Sequence, residues 1–136
     1  MTTPAAAPEE NTSRRKSLRI LYADDLPGLC EVTRLALSSE GHVIECVANG
    51  REAMAKLAAD PAIFDVVITD HHMPGKSGLE LVTWLRTLPF PGRIIVMTAE
   101  LSPAMGEAYR RLCVDGIVYK PAWPSELRQM VAELGG

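Results

Sequence analysis

The chain has 136 residues, enough for one domain with a hydrophobic core and too few for two ordinary ones. Its 14 basic and 17 acidic residues leave a net charge of -3, which excludes a dominant electrostatic grip on nucleic acid. No apolar run approaches the roughly 20 residues a membrane-spanning helix needs, so neither nucleic acid nor membrane is expected as a partner.

The opening stretch, MTTPAAAPEENTSRRKS, lacks the apolar region of a secretory signal, and the expected compartment is the cytoplasm. Residues 1–16, rich in Pro, Ala, Thr and charge, are expected to form a disordered tail ahead of a folded domain at 17–136. Arg14, Arg15 and Lys16 read as a solvated charge run, and Asn11-Thr12-Ser13 is discounted as a glycosylation acceptor because no secretion signal accompanies it. Cys30, Cys46 and Cys113 lie in apolar surroundings and are expected to be reduced packing residues.

From Leu18 onward, short Ile- and Val-rich runs alternate with segments of helical period. Leu18 to Ala23 predicts a first strand, and Leu29, Val32, Leu35 and Ala36 then form an apolar stripe for an inward-facing helix. His42 to Val47 reads as a second strand, followed after Asn49-Gly50 by a helix with Ala53, Met54 and Leu57 inward. A third strand spans Asp65 to Thr69, and its helix runs from about Gly78 to Thr87, stopping before Pro89. The fourth strand, Arg93 to Thr98, is apolar on both faces like the third, as central strands covered on each side should be. Ser102-Pro103 opens a fourth helix that closes near Asp115-Gly116. Its thin face of Met105, Ala108 and Leu112, interrupted by Gly106, predicts a weakly held element. Gly116 to Tyr119 is the fifth strand, and Leu127, Met130, Val131 and Leu134 mark the inner face of the fifth helix. The class is α/β, with a doubly wound, five-stranded parallel sheet.

Ligands in such sheets bind beyond the carboxyl ends of the strands, where the strand order reverses. Strand 1 ends in Asp24-Asp25, strand 3 in Asp70, strand 4 in Thr98 and strand 5 in Lys120, whereas strand 2 ends without charge. If strand 2 is at the edge, in the order 2-1-3-4-5, the four charged or polar ends converge on one pocket. Three crowded carboxylates repel unless a cation compensates them, and hard oxygens at a wet rim suit Mg²⁺ with a phosphate as co-ligand. Lys120 and Thr98 suit non-bridging phosphoryl oxygens, and Asp70, at the middle of the set, is the candidate nucleophile for an aspartyl-phosphate.

On these residues the chain resembles the receiver domains of bacterial two-component response regulators, close to the stand-alone chemotaxis type. The resemblance covers Leu18 to Leu134 and rests on YADD, VANGREAM, VVITDHHMPGKSGLELV, IIVMTA and YKP, in family order and spacing. It implies the flavodoxin-like (βα)₅ receiver fold and a phosphorylation switch without an output domain of its own. Asp70 would accept a phosphoryl group from a histidine kinase or a histidine phosphotransfer protein. Asp25, Asp70 and the backbone carbonyl of His72 would bind Mg²⁺ directly, with Asp24 acting through water. Thr98 would swing towards the phosphate, Lys120 would bind it, and Pro121 resembles the family's cis-linked proline. His72 and Glu100 stand where the family tunes dephosphorylation. The signal would leave through helix 4, strand 5 and helix 5, towards a downstream protein or a second receiver in a homodimer.

One departure stands out: three residues before the lysine, where the family usually has Tyr or Phe, this chain has Ile117. The aromatic switch is therefore missing although the pocket is intact, and nearby Tyr119 and Trp123 are candidates to replace it. Taken singly, Asp24-Asp25 could be a helix cap, Asp70 a turn former, Thr98 strand filler and Lys120 a solvated charge; their coincidence at four strand ends is what argues for chemistry. Gly75-Lys76-Ser77 is not a P-loop, because that motif's first glycine would fall at Asp70. His71-His72 is a poor metal pair, since neighbours on an extended segment point to opposite sides. A phosphorylation-independent docking module is the alternative reading, and a small Mg²⁺-dependent phosphatase ranks last because nothing resembles a cap or a substrate pocket.

Overall fold

A computed structural model describes residues 17–99, 102–120 and 123–135. The expected tail at 1–16, Glu100 and Pro121 lie outside the described residues. In chain order the elements are β1 (Arg19–Ala23), α1 (Pro27–Ser38), β2 (Val43–Val47), α2 (Gly50–Ala59), β3 (Val66–Asp70), α3 (Gly78–Leu85), β4 (Arg93–Thr98), α4 (Pro103–Arg111), β5 (Gly116–Tyr119) and α5 (Pro124–Gly135). The strands form one parallel sheet in the order β2-β1-β3-β4-β5, as expected from the sequence.

The two-residue period of the central strands divides the core in two. Ile94 and Val96 of β4, with Val67 of β3, face Ala53 and Leu57 of α2 and Leu81, Val82 and Leu85 of α3. Ile95 and Met97, with Val66 and Ile68, face Leu37 of α1 and Leu127 and Val131 of α5. Local chemistry fixes the helix starts: Asn49 caps α2 by accepting from the Glu52 amide, and Ser77 and Glu80 close a reciprocal capping box on α3. Ser102 caps α4 by accepting from the Met105 amide.

Two helices are turned differently from the sequence expectation. On α1, Leu29, Val32 and Leu35 face outward, 38%, 49% and 65% exposed, and the buried residues are Thr33 and Leu37. The cause lies in β1: Tyr22 is buried under this helix, and its hydroxyl bonds the side chain of Thr33, so the helix presents a threonine where a more apolar stripe was available. On α4 the buried residues are Gly106 and Tyr109, while Met105 is exposed and Ala108 and Leu112 are only partly covered. A glycine lets the helix approach closely, and the tyrosine one turn later fills the space beneath it.

The cysteines also depart from expectation. Cys30 on α1 and Cys46 on β2 form a disulfide, with their Cα atoms 6.2 Å apart, and Cys113 is free and exposed. Thiols on a helix and on the strand beneath it meet at bonding distance once Thr33 and Leu37 set the rotation of α1.

Candidate functional site

The strand ends converge as the topology requires. Asp24 follows β1 directly, its amide donating to the Val47 carbonyl at 3.1 Å, and Asp70 is the last residue of β3. Asp24 and Asp70 are buried, Asp25 is exposed, and one carboxylate oxygen from each lies within 4.8 Å of the others. The Lys120 ammonium donates to Asp70 Oδ2 at 2.9 Å and reaches Asp24 Oδ2 at 3.5 Å. Its backbone amide donates to the Thr98 carbonyl at 2.7 Å, which aligns the ends of β4 and β5, and Thr98 is fully buried.

Asp24 is the most constrained of the acids. Its Oδ1 accepts from the Leu26 amide at 3.0 Å, and the Tyr22 hydroxyl donates to its Oδ2 at 3.3 Å. Burial nevertheless pushes its carboxyl above the usual carboxylate range; the Leu26 amide and Lys120 oppose that shift, and the charge of Asp70 adds to it. For Lys120, burial alone would lower the ammonium's pKa, but the hydrogen bond to Asp70 and the charges of both buried acids raise it. The lysine is a fixed cation held against two acids.

The loop after β3 is equally well tied. The His71 amide donates to the Met97 carbonyl at 2.8 Å, and the His71 carbonyl accepts from the Gly78 amide at 2.9 Å. A Cβ on Gly78 would lie 2.5 Å from the Asp70 carbonyl oxygen, so α3 starts against the end of β3 only because this residue has no side chain. His72 is exposed, and its amide lies 3.4 Å from Asp70 Oδ1. An open cleft of about 560 Å³ beside the acids is lined by Asp25, His71, His72, Met73 and Met105 among others.

The structure thus brings together Asp24, Asp25, Asp70, Thr98 and Lys120, the set expected from the strand ends. Two participants were not anticipated. Tyr22 lies on β1 two residues before Asp24, and Tyr109 Oη lies 2.6 Å from Nδ1 of buried His71. A tyrosine at strand spacing from an acid was a readable signal; Tyr109 depends on how α4 is turned.

Compared with known proteins, residues 20–132 match the family described as the response regulator receiver domain. The chain belongs to this family. The receiver domain is 31% identical over 126 residues to the sensory/regulatory protein RpfC of Xanthomonas campestris pv. campestris, covering 90% of this chain but 17% of that protein. It is 34% identical over 92 residues to the transcriptional regulatory protein TcrA of Mycobacterium tuberculosis, covering 68% of this chain and 36% of TcrA. The receiver domain therefore spans a minor part of these curated relatives. Among solved structures, the chemotaxis response regulator CheY4 of Vibrio cholerae superposes with a TM-score of 0.79 at 29% identity, over 88% of this chain and 99% of that one. A CheY-like receiver domain from Methanospirillum hungatei gives a TM-score of 0.81 at 25% identity, over 87% and 93%.

Receiver domains are phosphoaccepting switches of two-component signalling that interact with histidine kinases or phosphotransfer proteins and bind Mg²⁺ at an acidic cluster. The Asp24, Asp25 and Asp70 group fits that ion: three hard-oxygen donors stand close together, and the pKa of Asp24 is raised by burial first and by the charge of Asp70 besides, a charge that a cation would offset. Among the described residues, no helix is long and apolar enough to cross a membrane.

Proposed function

We propose that this receiver domain, spanning residues 17–136 behind a tail at 1–16, is phosphorylated on Asp70 by a histidine kinase or a histidine phosphotransfer protein in the cytoplasm. The observation that carries this reading is the 2.9 Å contact between Lys120 Nζ and Asp70 Oδ2, with Asp24 and Asp25 alongside. One oxygen of the Asp70 carboxylate attacks the phosphorus of a phosphohistidine; the P–N bond breaks and the imidazole leaves. Lys120 then binds a non-bridging oxygen, and the Thr98 hydroxyl donates to another. Asp25, Asp70 and the His72 carbonyl would hold Mg²⁺ directly and Asp24 through water. When bound, the ion neutralises charge on the phosphoryl oxygens.

The domain assists only its own phosphorylation and slow dephosphorylation, the latter tuned by His72 and Glu100. Its output is a changed packing of α4, β5 and α5, read by a downstream protein or by a second copy. One observation favours a second reading, a docking module that works without phosphorylation: Ile117 is an aliphatic residue packed against the α2–α3 side of the core, with no ring to exchange.

Intact-protein mass after incubation with acetyl phosphate separates the two. The expected result is an adduct of one phosphoryl group that requires Mg²⁺ and is absent from Asp70→Asn. No adduct, under conditions that label an ordinary receiver, would leave the docking module as the function.

A further inference from the structure

A receiver without an aromatic residue at 117 still needs a physical link between Asp70 and the helix that changes. Tyr119 and Trp123, the nearby aromatics, are 57% and 63% exposed and offer no buried ring. Tyr109 does. It is the buried anchor of α4, 0% exposed, and its hydroxyl lies 2.6 Å from Nδ1 of His71, the residue that directly follows Asp70. The two rings meet edge to face, with centroids 5.5 Å apart and planes at 74°. The hydroxyl donates where the ring proton is on Nε2 and accepts where it is on Nδ1, so either neutral tautomer keeps the bond.

Three features make this contact a link and not merely packing. Through its main chain His71 is bonded to Met97 on β4 and to Gly78 at the start of α3, so a shift at the end of β3 carries the His71 backbone, and with it the ring that holds Tyr109. The Tyr109 hydroxyl sits over Gly78, 3.1 Å from where a Cβ would be, a slot open only because that residue is glycine. And α4 is otherwise shallow: Gly106 and Tyr109 are its buried residues, so little else on the helix opposes a shift when this bond changes. Burial raises the Tyr109 pKa, and the charge of Asp70 raises it further, so the phenol sits within the field of the acid next to its partner.

We infer that the Tyr109–His71 hydrogen bond passes the state of Asp70 to α4, in place of the aromatic side chain missing at 117. The inference rests on the reading that Asp70 is the phosphoacceptor. A phosphoryl group on Asp70 takes the place of the present 2.9 Å contact with Lys120, so the ammonium moves onto a phosphoryl oxygen, and the end of β3, with the His71 backbone bonded to β4, shifts in response. A hydrogen bond of this length tolerates little displacement, so Tyr109 either follows its partner or releases it, and α4 repacks.

The test is amide hydrogen exchange across residues 102–112, with and without acetyl phosphate and Mg²⁺, while intact mass reports the phosphorylated fraction of the same samples. In the native chain, exchange in α4 should change about tenfold on phosphorylation. Tyr109→Phe keeps the ring and removes the hydroxyl; it should be phosphorylated to the same extent, yet its α4 exchange should move less than twofold. His71→Leu, which removes the partner from the other side, should flatten the response equally, and the double variant should be no flatter than either. A fully phosphorylated Tyr109→Phe with the whole α4 response overturns the inference, as do additive effects of the two substitutions or a native α4 that does not respond. A native chain that takes up no phosphoryl group fails in the mass measurement, which marks the failure of the Asp70 reading on which the inference depends.

Discussion

Asp24 shows most directly how the site trades stability for charge. Its folded-state pKa is raised, by burial first and by Asp70 besides. The sign follows: its contribution to stability is fully present below the unfolded pKa near 4 and is lost as the pH rises through the raised value. The metal-free domain therefore carries an unfavourable carboxylate at neutral pH, and Asp24→Asn should stabilise it by about 1 kcal/mol, read from urea unfolding at pH 7.5 without Mg²⁺. The gain should shrink as the pH falls towards 4. With Mg²⁺ added the order should reverse, because the native protein gains binding energy that the asparagine form lacks. An Asp24→Asn protein that is less stable than the native one without Mg²⁺ would mean that the bonds from Tyr22 and Leu26 outweigh the crowding.

Among the elements, α1 is both the least conventional and the least legible from sequence. Its covered line is Cys30, Thr33 and Leu37, of which only Thr33 and Leu37 are fully buried, and the disulfide to Cys46 fastens its first half to β2. A cross-link closing a loop of this size contributes about 3 kcal/mol in the chain-entropy account. Reduction, or Cys30→Ser, should lower the unfolding free energy by about 2–3 kcal/mol, measured by urea titration with and without a thiol reductant; an unchanged midpoint would show that Thr33 and Leu37 hold the helix unaided. The strand order and the convergence of Asp24, Asp25, Asp70, Thr98 and Lys120 were readable because the apolar runs of strands 1, 3, 4 and 5 end on a functional group while strand 2 ends without charge and so belongs at the edge. The rotation of α1 was not, because Leu29, Val32 and Leu35 make the stronger apolar stripe and only the buried hydroxyl of Tyr22 explains why Thr33 replaces them. For α4 the thin apolar face correctly signalled a shallow helix, but its anchor was missed: Tyr109 counts as polar-tipped in any pattern, and its partner His71 is 38 residues away.

At the scale of the whole molecule, the outward turn of α1 puts an apolar surface beside Lys120 of the acid cluster. A cleft of about 500 Å³ between α1 and the start of α5 is lined by Leu26, Leu29, Val32, Met97 and Trp123, with Lys120 at its inner edge. Trp123 is 63% and Leu26 50% exposed there, side chains that an isolated domain leaves in water at a cost. On the proposed function, a partner's phosphohistidine reaching Asp70 past this rim, carried on an amphipathic helix, would cover the apolar surface, whereas acetyl phosphate has no use for it. Val32→Lys, at a half-exposed position away from the acids, separates the two routes. The rate of transfer from a phosphorylated histidine phosphotransfer protein should fall at least tenfold, while labelling by acetyl phosphate should stay within twofold and stability within about 0.5 kcal/mol. Equal losses by both routes would trace the defect to the site itself, and unchanged transfer from the protein donor would send the search for its docking surface to the α4 side, where Met105 and His72 line the other cleft.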